Sequence, residues 1–566
     1  MKIATHPQCA GTSVLAVIIL AITILPLLFS PATASIAGVY NVTDYGAVGD
    51  GNTLNTKAIQ AAVDACTKNG GGTVLFPPGI YLSGTIYLKD HVTLKLDAGA
   101  TLLGNPDVQD YPLNKCAFPS YSDRYVGRAL IWGEGLRDIA ITGKGTIDGQ
   151  GRKFRSNRPD EAELAKLVAI YDDSTRYTPQ ARYINRPYII RLISCRDVLV
   201  RDVTLLNSPM WMQQYLNCDF VRIQDITVYN HGSYNNDMID IDCSRNVIIT
   251  GCYGDSDDDG ITLKSTGAVP TENVVIADCI VSSNCNAIKM GTESSGGFKN
   301  ITITNCVIRP SSAPELIYGR REGLAGIALE IVDGGTLDGV TISNISINGT
   351  TAPIFMRLGN RARRYKRDIP QPAVGTFRNV VISNITATGA SNIGCSITGI
   401  PDKPIENVTI SNVKIEYVGG GGKELVQAEV PENEKKYPES TMFGVLPAYG
   451  FFVRHVNGLT FRDVDLRFDE QDHRPALICD DVENLRLDAF NAQVSSDALS
   501  TLLFRNTRDV LISGCQPQAA EVFLRLEQGS ENINVMANDF SRVKTPFSFD
   551  ASTNESSVYA KYNRMK

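Results

Sequence analysis

The chain has 566 residues, 43% hydrophobic and 20% charged, with a net charge of −7 and a pI near 5.5. This balance excludes a disordered polyelectrolyte and supplies ample apolar mass for a large core. It also lacks the global basic field that binding nucleic acid would call for.

Residues 13–29, SVLAVIILAITILPLLF, form an apolar run preceded by Lys2 and followed by Ala32-Thr33-Ala34. A charged start, an apolar middle and a small-residue end predict a secretory signal over 1–34, cut after Ala34. The expected product is a secreted or periplasmic chain with no membrane attachment. A retained anchor is the other reading of the same run.

Next comes NTKAIQAAVDACTKNGG, where Ala58, Ile59, Ala62, Val63 and Cys66 recur at helical spacing and Asn69-Gly70 ends the pattern. A helix here is expected to cap the first layer of a sheet, which would otherwise present a raw edge. From about residue 195 a short unit repeats: a polar pair, often ending in Asn or Asp, then a β-branched alternation. RNVIITGC at 245, ENVVIADC at 272, KNITITNC at 299, RNVVISNI at 378 and ENVTISNV at 406 are examples. Val221, Val247, Val274 and Ile301 lie 26, 27 and 27 residues apart. Short strands at this period predict an all-β fold, a single-stranded right-handed parallel β-helix (a solenoid) over residues 35–566. Two stretches break the rhythm, with insertions expected near 152–185 and 418–445. The first contains the helical pattern RPDEAELAKLVAIYDD, and both could wall a groove.

Of the thirteen cysteines, Cys252, Cys279 and Cys306 each fall five residues after the first apolar residue of their strand. Equal spacing predicts one buried column of small side chains, with disulfides as the alternative. Asn344, Asn384 and Asn412 take a similar place four residues on, and are read as a further inward ladder.

The segment GDSDDDGITLKS concentrates Asp255, Asp257, Asp258 and Asp259 before an apolar strand. Aligned on their apolar residues, NNDMIDID from 235, DDDGITLK from 257 and CNAIKMG from 285 stack Ile239, Ile261 and Ile288. The same register puts Asp237 over Asp259 with Asn286 as the third rung, and Asp258 beside that column. Rungs are about 4.8 Å apart. Carboxyls this close shift one another's pKa, so one can hold a proton while another is ionised, as glycoside hydrolysis requires. A calcium site and a plain acidic turn are the competing readings.

The chain resembles glycoside hydrolase family 28, the polygalacturonases and rhamnogalacturonan hydrolases. The likeness rests on VTDYGAVGDGNTLNTKAIQAAVDAC, GGGTVLFPPGIY, GTIDGQG, NRPYIIRLISCRDVLVRDVTLLNSPMW and the acidic coils, and runs to about residue 350. Asn235-Asn236-Asp237 matches the family's Asn-Thr-Asp, and Asp258-Asp259 its Asp-Asp pair. The resemblance implies a pectin-lyase-like fold and single-displacement, inverting hydrolysis of pectic polysaccharide, homogalacturonan or rhamnogalacturonan, with no metal or other cofactor. It makes Asp258 the general acid, while Asp237 and Asp259 activate water. Two motifs depart from the family. Cys285-Asn286-Ala287 stands where Gly-His-Gly is expected, and Ala328-Leu329-Glu330 where Arg-Ile-Lys is expected. Substitute contacts are sought in Asn286, Lys264, Lys289 and His231. Others are sought in the basic stretch MRLGNRARRYKRD, with Arg357 and Arg361, and in Arg321 of the Arg320-Arg321 pair. Trp211 and Tyr215 are read as core packing, with sugar stacking as the alternative. A polysaccharide lyase and a non-catalytic carbohydrate-binding β-helix are the rival functions.

Overall fold

The computed structural model describes residues 38–566 apart from 126, 171 and 172. The expected signal segment therefore lies outside the described residues. The strands join in one continuous sheet in which every strand-to-strand ladder is parallel. That is the parallel β-helix expected from the repeats, and right-handed crossovers are the rule for such connections.

The polar pair of the repeat marks a corner. Asn246, Asn273, Asn300, Asn379, Asn407 and Asn532 all have φ between 52° and 58°. Asn tolerates this left-handed conformation better than other side chains with a Cβ, because its amide bonds locally. The corner amides also bond along the axis: Asn300 donates to Asn273 at 3.1 Å and Asn273 to Asn246 at 3.3 Å. After each corner the apolar alternation turns inward, so Val221, Val247, Val274, Ile301 and Val340 pair in succession and are all buried.

On the sheet that carries the acidic coils, Ile239 pairs with Ile261, Ile261 with Ile288, Ile288 with Ile327 and Ile327 with Ile354. All five are fully buried. Cys252, Cys279 and Cys306 are buried and unbridged, and Ile345, Ile385 and Val413 continue the cysteine column. Asn344, Asn384 and Asn412 are not an inward ladder. They occupy a second corner with φ of 50–57° and form an exposed amide chain, Asn412 to Asn384 at 2.8 Å and Asn384 to Asn344 at 2.9 Å. A spacing shorter by one residue shifts a side chain from the inner column to the bend beside it.

Helix α1, Thr56–Lys68, buries Ile59, Ala62, Val63 and Cys66 against the first coil. Helix α2, Glu161–Ala169, lies in the first insertion with Asp160 capping the Glu163 amide and no residue buried. The loop of the second insertion is pinned to the sheet by arginines. Arg357 donates to the carbonyls of Gly399 and Glu432 at 2.9 and 2.5 Å, and Arg454 to that of Val430 at 2.6 Å.

Replacing Ile261 with Ala removes the middle of an inward stack. Denaturant unfolding should show a loss of about 2–5 kcal/mol. A loss under about 1 kcal/mol would mean the column is not packed as described.

Candidate active site

The register brings the three carboxylates together. Ile239 over Ile261 over Ile288 places residue 237 beside 259 and 259 beside 286. The Asn286 side chain donates to Asp259 at 2.7 Å and its amide does so at 3.2 Å. Asp258 precedes Asp259 and its carboxylate accepts the Asp259 amide at 2.9 Å, while its own amide bonds Asn236 at 3.2 Å.

Each of the two column acids holds a lysine. Lys264 Nζ is 3.1 Å from Asp237 and 3.3 Å from Asp240, and Lys289 Nζ is 3.0 Å from Asp259. Asp258 has no lysine. Burial pushes its carboxyl well above the usual range, and the negative charges of Asp237 and Asp259 push the same way. Asp237 is raised too, first by burial, with Lys264 opposing the shift. Asp258, Asp259 and Cys285 each bring one potential ligand atom within 4.8 Å of the others. Burial holds the Cys285 thiol well above its ordinary pKa, and Asp259 is already bound to an ammonium group. A protonated thiol and an occupied carboxylate fit poorly with the oxygen-only shell of calcium.

The other two acids of the run belong to a different structure. His231 lies between Asp255, 3.0 Å from Nε2, and Asp257, 2.9 Å from Nδ1. Burial alone would lower its pKa, but hydrogen bonds to the two carboxylates outweigh this and raise it to about 9. Asp255 also accepts from Ser312, and Asp257 from Asn284 and the Ile317 amide. His231 therefore ties together two acids that themselves hold the 311–322 loop, and it is not an imidazole of the cleft.

A cleft of about 530 Å³ opens over the carboxylates, with Asp237, Asp258, Asp259, Lys264, Trp211 and Arg361 among its lining residues. Trp211 is 4% exposed and lies under the Lys264 ammonium at 4.3 Å, whereas Tyr215 is core, its hydroxyl bonded to Gln213. The remaining expectations separate. Lys289 and Asn286 are buried behind Asp259 and hold it from the protein side. Arg357 is not in the cleft: its guanidinium pins the second insertion, and burial lowers its pKa to about 10. Arg321 is not there either, since it donates to the carbonyls of Ala313 and Pro314 in its own loop. Of the basic stretch, Arg361 and Arg363 reach the cleft, and Arg363 is paired with Asp333 and with Glu293 at 3.2 Å.

The cleft also holds residues that the sequence reading did not single out. The first insertion contributes Arg155, Arg158, Arg182 and Arg186, and the second contributes Tyr437. The crowding of arginines where the repeat breaks is the signal that could have found the first group. Glu330, in the place expected for a cation, is fully buried 4.0 Å from Lys289, and burial raises its pKa to about 8.

The model of the family described as "Glycosyl hydrolases family 28" matches residues 66–435. The chain belongs to that family. Among relatives of this family 28 member, a "Probable polygalacturonase" of Vitis vinifera is 38% identical over 235 residues, 40% of this chain and 44% of that protein. An "Exo-poly-alpha-D-galacturonosidase" of Dickeya chrysanthemi is 29% identical over 264 residues, 41% and 42% of the two chains. This chain thus spans less than half the length of these two curated relatives. A solved structure, an exopolygalacturonase from Thermotoga maritima, superposes with a TM-score of 0.56 at 25% identity, covering 67% of this chain and 87% of that one.

The His231 clamp gives a test with a definite sign. A folded-state pKa of about 9 against an ordinary 6.5 adds stability that is fully present below pH 6.5 and lost as pH rises through 9. The stability difference between the wild type and His231→Gln should be widest below pH 6.5 and narrow toward pH 9. A pH-independent difference would show that His231 is not charged in the fold.

Proposed function

We propose that this family 28 member hydrolyses glycosidic bonds of pectic polysaccharide, at galacturonosyl or closely related uronosyl linkages. One observation carries the reading: of three converging carboxylates, two hold a lysine and the third holds none. That asymmetry suits Asp258 as the proton donor to the leaving oxygen, and Asp237 and Asp259 as the pair that orients water. Water adds its hydroxyl to the anomeric carbon as the carbon–oxygen bond breaks. Its other proton passes to the carboxylate pair and the leaving oxygen takes the proton of Asp258. The product anomer is inverted. The apolar run at 13–29 supports action outside the cytoplasm, in the secreted or periplasmic space.

The arginines support an acidic substrate. Arg158, Arg182 and Arg361 line the cleft without an ion pair to any described residue, and Nη1 of Arg361 is buried with no hydrogen-bond partner. Guanidinium groups of this kind match carboxylates with two parallel hydrogen bonds. The site thus takes its free cations from the first insertion and from the basic stretch, while Ala328 and Glu330 occupy the expected place of the missing motif.

Asp258→Asn should lower turnover by roughly 10²–10⁴ with substrate binding nearly intact, because the amide keeps the shape but gives no proton. Proton NMR of the first product should show the inverted anomer; a retained anomer, or wild-type turnover in the variant, would end this assignment. An unsaturated product absorbing in the ultraviolet would indicate a lyase instead.

Arg182→Ala and Arg361→Ala should each raise KM for an acidic oligosaccharide roughly tenfold or more, with added salt producing a similar rise. Arg357→Ala should lower stability and act on KM only through the loop it pins. Unchanged KM in the first two variants would remove the arginines from the binding site.

A further inference from the structure

The outward face of the sheet that carries the acids is not open in both directions. Toward the N-terminal coils it is filled by a buried cluster that includes Trp132, Tyr188, Met210 and Trp211, with Tyr183 packed into it. Tyr183 belongs to the segment 173–186, which crosses this face from one wall to the other. At the start of the segment, Thr175 accepts the Arg367 amide at 2.5 Å. Arg176 pairs there with Asp123 at 2.7 Å and donates to the Cys116 carbonyl at 2.7 Å. These partners stand where the strands end. Arg367 follows the strand Ala352–Leu358, and the Tyr121 amide bonds the carbonyl of Thr266, one residue past the strand Ile261–Ser265. At the end of the segment, Arg186 donates to the carbonyls of Pro209 and Tyr234, in turns that lead into the strands Gln213–Leu216 and Ile239–Asp242.

The crossing is braced by rings and cations. Arg124 lies 5.1 Å from both the Tyr121 and Tyr177 rings, and Arg367 is 5.5 Å from Tyr177. Trp211 and Tyr125, 4.8 Å apart, form its inner surface beside Asp237. A polysaccharide lying along the solenoid over the carboxylates meets this wall on the N-terminal side.

We propose that segment 173–186 and the aromatic cluster beneath it close one end of the cleft, so that the protein acts on chain ends. Arg182, carried on the segment, faces the terminal sugar and receives its carboxylate. This inference rests on the hydrolase reading and adds to it the position of attack.

The test uses the wild-type protein on long homogalacturonan and rhamnogalacturonan, following viscosity, reducing ends and product length together. Chain-end action releases one short product from the first time point, while viscosity falls slowly. A second arm compares acidic oligosaccharides modified at the reducing or at the non-reducing end; modification at one end alone should abolish release. A mixture of long oligomers with a rapid fall in viscosity, or cleavage indifferent to both modifications, overturns the closed end and leaves the hydrolase reading standing. No new reducing ends from any of these substrates overturns the hydrolase reading and this inference with it.

Discussion

Everything in this molecule depends on parallel stacking in exact register. Neighbouring coils repeat at about 4.8 Å, so whatever sits at one position of a coil lies against its counterpart in the next. The inward partners are Ile239, Ile261, Ile288, Ile327 and Ile354, which favour burial and lock the register. The outward partners have no freedom to avoid one another. Asp237 and Asp259 are pressed together by hydrophobic contacts on the other side of the same strands. Their repulsion is offset locally by Lys264 and Lys289, each projecting from the coil that follows the acid it holds. The core thus sets the distance between the carboxylates, and the lysines decide which of them have a cation beside them.

The acidic run that stands out in the sequence does two jobs. Asp258 and Asp259 face the cleft, and Asp255 and Asp257 hold a protonated His231 on the opposite flank of the turn. The clamp orders the 311–322 loop, whose Tyr318 lines the cleft, so the two halves of the run cooperate through that loop. The imidazolium also removes much of the repulsion that four acids in five positions would create.

The solenoid, its capping helix, the inward isoleucines and the acid column were legible because a fixed period carries them. Column membership follows from spacing alone, and only a one-residue error at the bend misplaced Asn344, Asn384 and Asn412. The cleft walls were not legible in the same way. Arg357 and Arg361 are four residues apart in one basic stretch, yet the first ends a strand beneath the second insertion and the second leaves the sheet to reach the cleft. Nothing local separates them; the difference is made by residues 75 positions away. His231 was misjudged for a related reason. It was sought as a substitute contact of the cleft, but the turn directs its ring toward Asp255 and Asp257. The arginines of the first insertion have no register at all, since an insertion is where the repeat stops.

The column of Cys252, Cys279 and Cys306 has a consequence for how the protein is lost. Twelve described cysteines are free and buried, so the native fold gains nothing from an oxidant. Inside, hydrogen bonding to Cys252 and burial hold Cys279 at about 12, far from the thiolate that reacts. Unfolding exposes all of these thiols at once, at a pKa near 8.5, with no native pairing among the described residues to return to. Crosslinking between denatured chains then competes with re-stacking, and heating in air becomes a one-way process governed by a rate. The same tight column that makes the folded solenoid inert to oxidation leaves the opened one exposed to it.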